Sequence, residues 1–148
     1  MSLLTAVNSR RIKSPKLHIS DTGLGAALMR LDVATLCEDR RLLGQLLETF
    51  IYQEFQKQAL AHPGETSFYH FRDRDQYEVD PVIEFDGHHI GDIEVKASST
   101  ITGSDFKGLH KLENSLWNTF TTGGALYDGE HTLPFADNMF AVPISAIW

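Results

Sequence analysis

Tyr77-Glu78-Val79-Asp80-Pro81-Val82-Ile83-Glu84-Phe85 and Ile90-Gly91-Asp92-Ile93-Glu94-Val95-Lys96-Ala97, joined by Asp86-Gly87-His88-His89, decide how this chain folds. Both segments alternate with period two and carry β-branched or aromatic residues, so each reads as a strand. The Gly-containing link has hairpin length, so their ends pair closely. Strict alternation sends Asp80 and Val82 to one face and Val79, Ile83 and Phe85 to the other. In the second strand it puts Glu94 and Lys96 on one face, about 6.5 to 7 Å apart along the chain. With adjacent strands about 4.8 Å apart, a favourable register brings Asp80 and Glu94 within reach of one ion.

Working outward, residues 67–72 supply a third strand, so 67–72, 76–85 and 90–97 form an antiparallel meander. Phe106, Leu109, Leu112 and Leu116 return to helical spacing over 105–118, with Ser104 as cap, and short strands fit 124–127 and 139–144. Upstream, Leu43, Leu46, Leu47, Phe50 and Ile51 follow the i, i+3, i+4, i+7, i+8 template from 42 to 62, where Pro63-Gly64 ends the helix. Glu48 borders that apolar stripe on the side of Ile51 and Phe55, which partly desolvates its carboxylate. Asp21 or Thr22 caps an earlier helix with Leu24, Leu28 and Leu31 inward, and Glu38-Asp39-Arg40-Arg41 reads as a solvated approach to the next element. The order is α, α, β-β-β, α, β, β, without internal repeats.

At 148 residues, 42% hydrophobic and 22% charged, the chain has the profile of one globular domain able to bury an ordinary core. A lone cysteine excludes a disulfide within the chain and a Cys-based zinc or iron–sulfur site; Cys37 reads as a small buried apolar residue. No apolar run approaches the roughly 18 residues of a membrane span. Ser9-Arg10-Arg11-Ile12-Lys13-Ser14-Pro15-Lys16 opens no secretory pattern, so a cytoplasmic location is expected. A net charge of −7 argues against a broad cationic coat for nucleic acid and leaves room only for a small local groove. Residues 1–15 read as a lead-in segment and 16–148 as a single domain.

The strand pair has a chemical logic. Hard divalent cations such as Mg²⁺ or Mn²⁺ take carboxylate, carbonyl and water oxygens. Asp80 and Glu94 would hold such an ion, the Val95 backbone carbonyl would add a third oxygen, and Glu48 would reach it through a bound water. Lys96 would orient or help deprotonate an attacking water, its pKa tuned by the ion and by desolvation. Taken alone, a Glu-x-Lys on a strand is more often a solvated face, and Glu78 and Glu84 read as just such solvated groups. What separates Glu94-x-Lys96 from them is its company: a helix Glu, a strand Asp and a strand Glu-x-Lys, in that order, around a hairpin.

That ordered set resembles the PD-(D/E)xK nuclease superfamily, and more closely the uncharacterised C-terminal domain attached to many prokaryotic AAA+-type ATPases. The matching segments are Lys13-Ser14-Pro15-Lys16-Leu17-His18-Ile19-Ser20-Asp21-Thr22-Gly23-Leu24, Leu43 through Phe55 around Glu48, Phe71-Arg72, Glu78-Val79-Asp80 and Ile93-Glu94-Val95-Lys96-Ala97-Ser98. The resemblance implies a restriction-endonuclease-like α/β (α+β) fold, a mixed sheet flanked by helices. It puts Glu48, Asp80, Glu94 and Lys96 at the superfamily's helix Glu, metal Asp and E-x-K positions. Pro81 departs from the pattern by removing a backbone donor after the Asp. No G-x-x-x-x-G-K-[S/T] loop is present, so ATP binding is not claimed; the chain reads as a stand-alone version, a gene remnant or a piece of a longer protein, and the abrupt start near Arg10 favours the last two, with the lead-in segment as the remnant of an upstream ATPase.

Other constellations carry less. His70, His88 and His89 invite a transition-metal reading but lack a clear third ligand in the sequence. No G-x-S-x-G elbow occurs. Trp117, Phe120 and Trp148 would stack on bases, and Arg72, Arg74, Lys107 and Lys111 would contact phosphates, although such aromatics more often sit in the core. Two functions follow: a Mg²⁺-dependent phosphodiesterase acting on DNA, or a non-catalytic regulatory or protein-interaction module of an AAA+-type ATPase.

Overall fold

The computed structural model describes residues 16–72, 77–87, 89–116 and 118–148, and the chain divides into two compact units, Pro15–His62 and Pro63–Trp148. The expected features at residues 1–15, Arg74, Gln76, His88 and Trp117 lie outside what is described. In the first unit, α1 (Thr22–Leu28), α2 (Val33–Glu38) and α3 (Arg40–Ala61) are each opened by an aspartate. Asp21 accepts from the Leu24 amide at 2.7 Å, Asp32 from Thr35 at 2.8 Å and Asp39 from Leu42 at 3.0 Å, satisfying donors that a first turn leaves unpaired.

α3 follows the expected long helix, with Ile51 buried on its stripe. The extended residues before α1 are tied to it: Lys16 pairs with Glu48, Gln53 donates to the Ile19 carbonyl, and His18 stacks on Tyr52 with 4.4 Å between ring centres. Three expectations are corrected in this unit. Leu24 and Leu28 are exposed, and α1 instead buries Gly25, where a Cβ would stand 3.1 Å from Ile19 Cδ1. The expected α, α order lacks the short helix α2, which ends at Glu38, whereas Glu38-Asp39-Arg40-Arg41 is largely exposed as expected and caps α3 through Asp39. Cys37 is exposed, because α2 buries none of its residues.

In the second unit, β1 (Thr66–Arg72), β2 (Glu78–Phe85), β3 (His89–Lys96), β4 (Phe120–Tyr127), β5 (Leu133–Ala136) and β6 (Met139–Pro143) form one mixed sheet, ordered β1-β2-β3-β4-β6-β5. The expected meander is present: β1, β2 and β3 pair antiparallel in chain order, with Val82 opposite Asp92 and Phe85 opposite His89. Asp86 and Gly87 make the turn at φ 52° and 69°, a left-handed region that Asp and Gly tolerate. β3 and β4 run parallel, so the chain must cross over between them. The crossover carries a 3₁₀ turn (Gly103–Phe106) and α4 (Lys107–Leu116).

α4 buries Leu109, Leu112 and Leu116, spaced three and four apart, against the sheet. Leu112 and Leu116 join Val79, Val82 and Ile90; Phe106 and Leu109 join Ala125, Tyr127, Met139 and Ala141. The class is therefore α+β with a mixed six-stranded sheet, as expected. Among the described residues, no helix is long and apolar enough to cross a membrane.

Several local readings change. Val79 and Val82 share one buried cluster, so strict alternation does not hold between them. The β1–β2 register shifts between Tyr69 and Phe71, and the Asp80–Pro81 peptide is cis. Glu84 is buried rather than solvated and bonds the Tyr69 hydroxyl; burial first, and then that bond, push the Tyr69 phenol above its ordinary value. Ser104 is not the cap: Thr102 is, with its amide donating to Asp105 Oδ2 at 2.8 Å in a capping box. β4 begins at Phe120 because Thr121-Thr122-Gly123-Gly124 is strand despite its turn-like composition, and β5 is an added edge strand that accommodates Pro134.

Candidate functional site

Glu94 and Lys96 lie where β3 runs beyond its last rung with β2, the Val82–Asp92 pair, while still pairing with β4 as far as Lys96–Tyr127. Period two keeps both side chains on one face, as expected, and Lys96 Nζ sits 2.9 Å from Glu94 Oε1. A third group joins them from the crossover: Asp105 Oδ1 stands 3.7 Å from Lys96 Nζ. Burial alone would pull the Lys96 amine down. Glu94, by hydrogen bond and charge, and then Asp105 outweigh it and hold the amine above its ordinary value. Burial raises the Asp105 carboxyl, but bonds from Thr102 and the charge of Lys96 leave it below its ordinary range. Lys96 is thus held as an ammonium between Glu94 and Asp105.

On the same face of β3, Asp92 is 2% exposed, and neither of its carboxylate oxygens has a hydrogen-bond partner among the described residues. Burial first, then the charges of Glu94 and Glu113, push its carboxyl up to about 8. Leu109 of α4 and Gly123 of β4 close over it: a Cβ on Gly123 would come 2.7 Å from Asp92 Oδ1 and 3.0 Å from Leu109 Cδ2. Glu113 is turned to Asn138, whose amide donates to it at 2.8 Å.

Asp80 lies on β2 just beyond the Val82–Asp92 rung, buried, with His70 Nδ1 3.5 Å from its Oδ2. Glu78 Oε1 is 3.9 Å from the same nitrogen. Val95 pairs with Leu126 in the β3–β4 ladder. Glu48 belongs to the first unit, where it pairs with Lys16; Asp80, Glu94, Val95 and Lys96 belong to the second. Of the groups expected at phosphates or bases, Lys111 lies over the Tyr77 ring at 3.9 Å, Phe120 packs against the core, and Trp148 is exposed.

Asp92, Asp105 and the partners of His70 were not legible as a site. Asp92 carries a local signal, two residues before Glu94 on the same face. Asp105 carries a weaker one, the Thr-x-x-Asp spacing of a capping box. His70 meets Asp80 only through the pairing of β1 with β2.

Comparison with known proteins agrees with the coarse part of the resemblance. Two uncharacterized proteins, from Mycobacterium bovis and Mycobacterium tuberculosis, are each 29% identical to this chain over 143 residues, covering 95% of it and 30% of their own length. The chain thus spans under a third of these relatives. No solved structure matches. Residues 43–147 match the model of the domain of unknown function DUF4143, and since that range takes in most of the chain, from α3 through β6, the chain belongs to the DUF4143 family.

Proposed function

We propose that this domain hydrolyses phosphodiester bonds in DNA with the help of a divalent cation, Mg²⁺ or Mn²⁺. The observation that supports this most is the Glu94–Lys96 pair at 2.9 Å, on the stretch of β3 that continues past the end of the β2 pairing, next to the strand that carries Asp80. The donor set suits a hard ion: a buried carboxylate on Asp80, a half-buried one on Glu94 and the backbone oxygen of Val95 are oxygen ligands. When bound, the ion would supply Lewis-acid charge stabilisation at the phosphate and a more acidic water.

The chain's own residues do the remaining work. Glu94 and Asp105 hold the Lys96 ammonium from two sides, so it can donate to an anionic phosphate oxygen without first being ordered. An acidic chain of net charge −7 meeting a polyanion relies on the cation and on such local amines to offset repulsion.

The test incubates plasmid and linear DNA, and RNA, with the protein in Mg²⁺ or Mn²⁺. The expected result is cleavage that EDTA abolishes, reduced about 10²-fold or more in Glu94→Gln and Lys96→Met, with Glu48→Gln testing the helix carboxylate separately. Absence of cleavage of every form, or a Lys96→Met protein as fast as wild type, sinks the reading and leaves the non-catalytic ATPase-associated module.

A further inference from the structure

We propose that His70, Glu78 and Asp80 form a binding site for a divalent transition metal of the Zn²⁺ or Co²⁺ type, which shares Asp80 with the ligand set around Glu94 and takes His70 and Glu78 as its own. One donor atom from each of the three lies within 4.8 Å of the others. The site is built by the sheet. β1 and β2 pair on either side of it, at Tyr69–Val82 and Phe71–Val79, and the register shift between those rungs sets His70 against the Asp80 segment. Glu78 and Asp80 are two apart on β2, so both carboxylates reach the same imidazole.

The distances favour a shared ion over a direct bond. His70 Nδ1 is 3.5 Å from Asp80 Oδ2 and 3.9 Å from Glu78 Oε1, beyond ordinary hydrogen-bond length. Ligand atoms each about 2.1 Å from one ion stand about 3.0 Å apart at a right angle and about 3.4 Å apart at the tetrahedral angle, so small side-chain shifts suffice to close on a metal. His70 Nδ1 is buried and has no hydrogen-bond partner among the described residues. With its proton on Nε2, that nitrogen offers its lone pair to the space between the two carboxylates. The Asp80 side chain is 5% exposed and that of Glu78 39%, so the site has a buried wall and an open side through which an ion enters.

The imidazole decides the class of metal. An all-oxygen set suits Mg²⁺, whereas one nitrogen with two carboxylates moves preference along the series toward Co²⁺ and Zn²⁺. Asp80 is common to this set and to the one proposed for hydrolysis, and a carboxylate with about four lone-pair positions can serve both. The site requires no catalysis, so it does not rest on that reading.

The experiment titrates Co²⁺ into the metal-stripped chain, following the visible absorption of the bound ion, with Zn²⁺ as competitor. Expected is saturable Co²⁺ binding displaced by Zn²⁺ and weakened at least about tenfold in His70→Gln and in Glu78→Gln. Glu78 is exposed, so its variant answers even if His70→Gln folds poorly. The proposal is overturned if neither ion binds, if Glu78→Gln and a folded His70→Gln bind like wild type, or if binding is lost in Glu94→Gln instead. That last result would leave the hydrolysis reading standing, just as binding through His70 by a protein that cuts no nucleic acid would leave this site standing alone.

Discussion

A carboxyl such as Asp92, closed in by Leu109 and Gly123 and pushed up to about 8 by burial, makes folding depend on pH in a defined direction. The unfolded chain releases that proton near pH 4. Between there and about 8, the folded state binds more protons than the unfolded one, so stability falls as pH rises, by at most about 1.4 kcal/mol per unit. Asp92→Asn removes the dependence. Thermal midpoints measured in chelator should therefore show the variant gaining on wild type from pH 5 to pH 8 and levelling off above; parallel profiles would mean that Asp92 ionises normally. Alternation in the sequence places Asp92 on the face of Glu94 and Lys96, but not under a lid. Its burial is set by residues 17 and 31 positions away, and no local pattern encodes that.

Elements were legible where their period was clean. α3 and the β1–β2–β3 meander follow from periodicity and one Asp-Gly turn, whereas β4 was half hidden because Thr121-Thr122-Gly123-Gly124 has the composition of a loop. Gly123 is strand because β4 must pass close to Asp92, Leu109 and Phe120, with a Cβ at 2.7, 3.0 and 3.2 Å from them. Gly123→Ala should destabilise the protein by about 1–3 kcal/mol, since Leu109 and Asp92 are buried and have little room to yield. Chemical denaturation measures it, and a variant as stable as wild type would mean that α4 sits farther from β4. The parity of β2 departs from alternation for a similar reason: a register shift against β1, invisible in one strand's sequence, brings Val79 and Val82 into one cluster.

At the scale of the whole molecule, the chain is a DUF4143 domain covering 30% of its mycobacterial relatives, with an α-helical unit and a mixed α+β unit. The class, the hairpin and the shared face of Glu94 and Lys96 were all readable from the sequence, because they depend on spacing within one or two neighbouring strands; their direct contact was not. The groups that surround them, Asp105 and His70 among them, come from the crossover and from the edge strand, whose positions only the assembled sheet fixes. The central claim is that β2 and β3 together hold a hard divalent ion through Asp80 and Glu94, and a calorimetric Mg²⁺ titration addresses it most directly. Saturable Mg²⁺ binding that disappears in Asp80→Asn and in Glu94→Gln but persists in His70→Gln is the result predicted. Wild-type protein that takes up no Mg²⁺, or binding that survives both carboxylate substitutions, would contradict it.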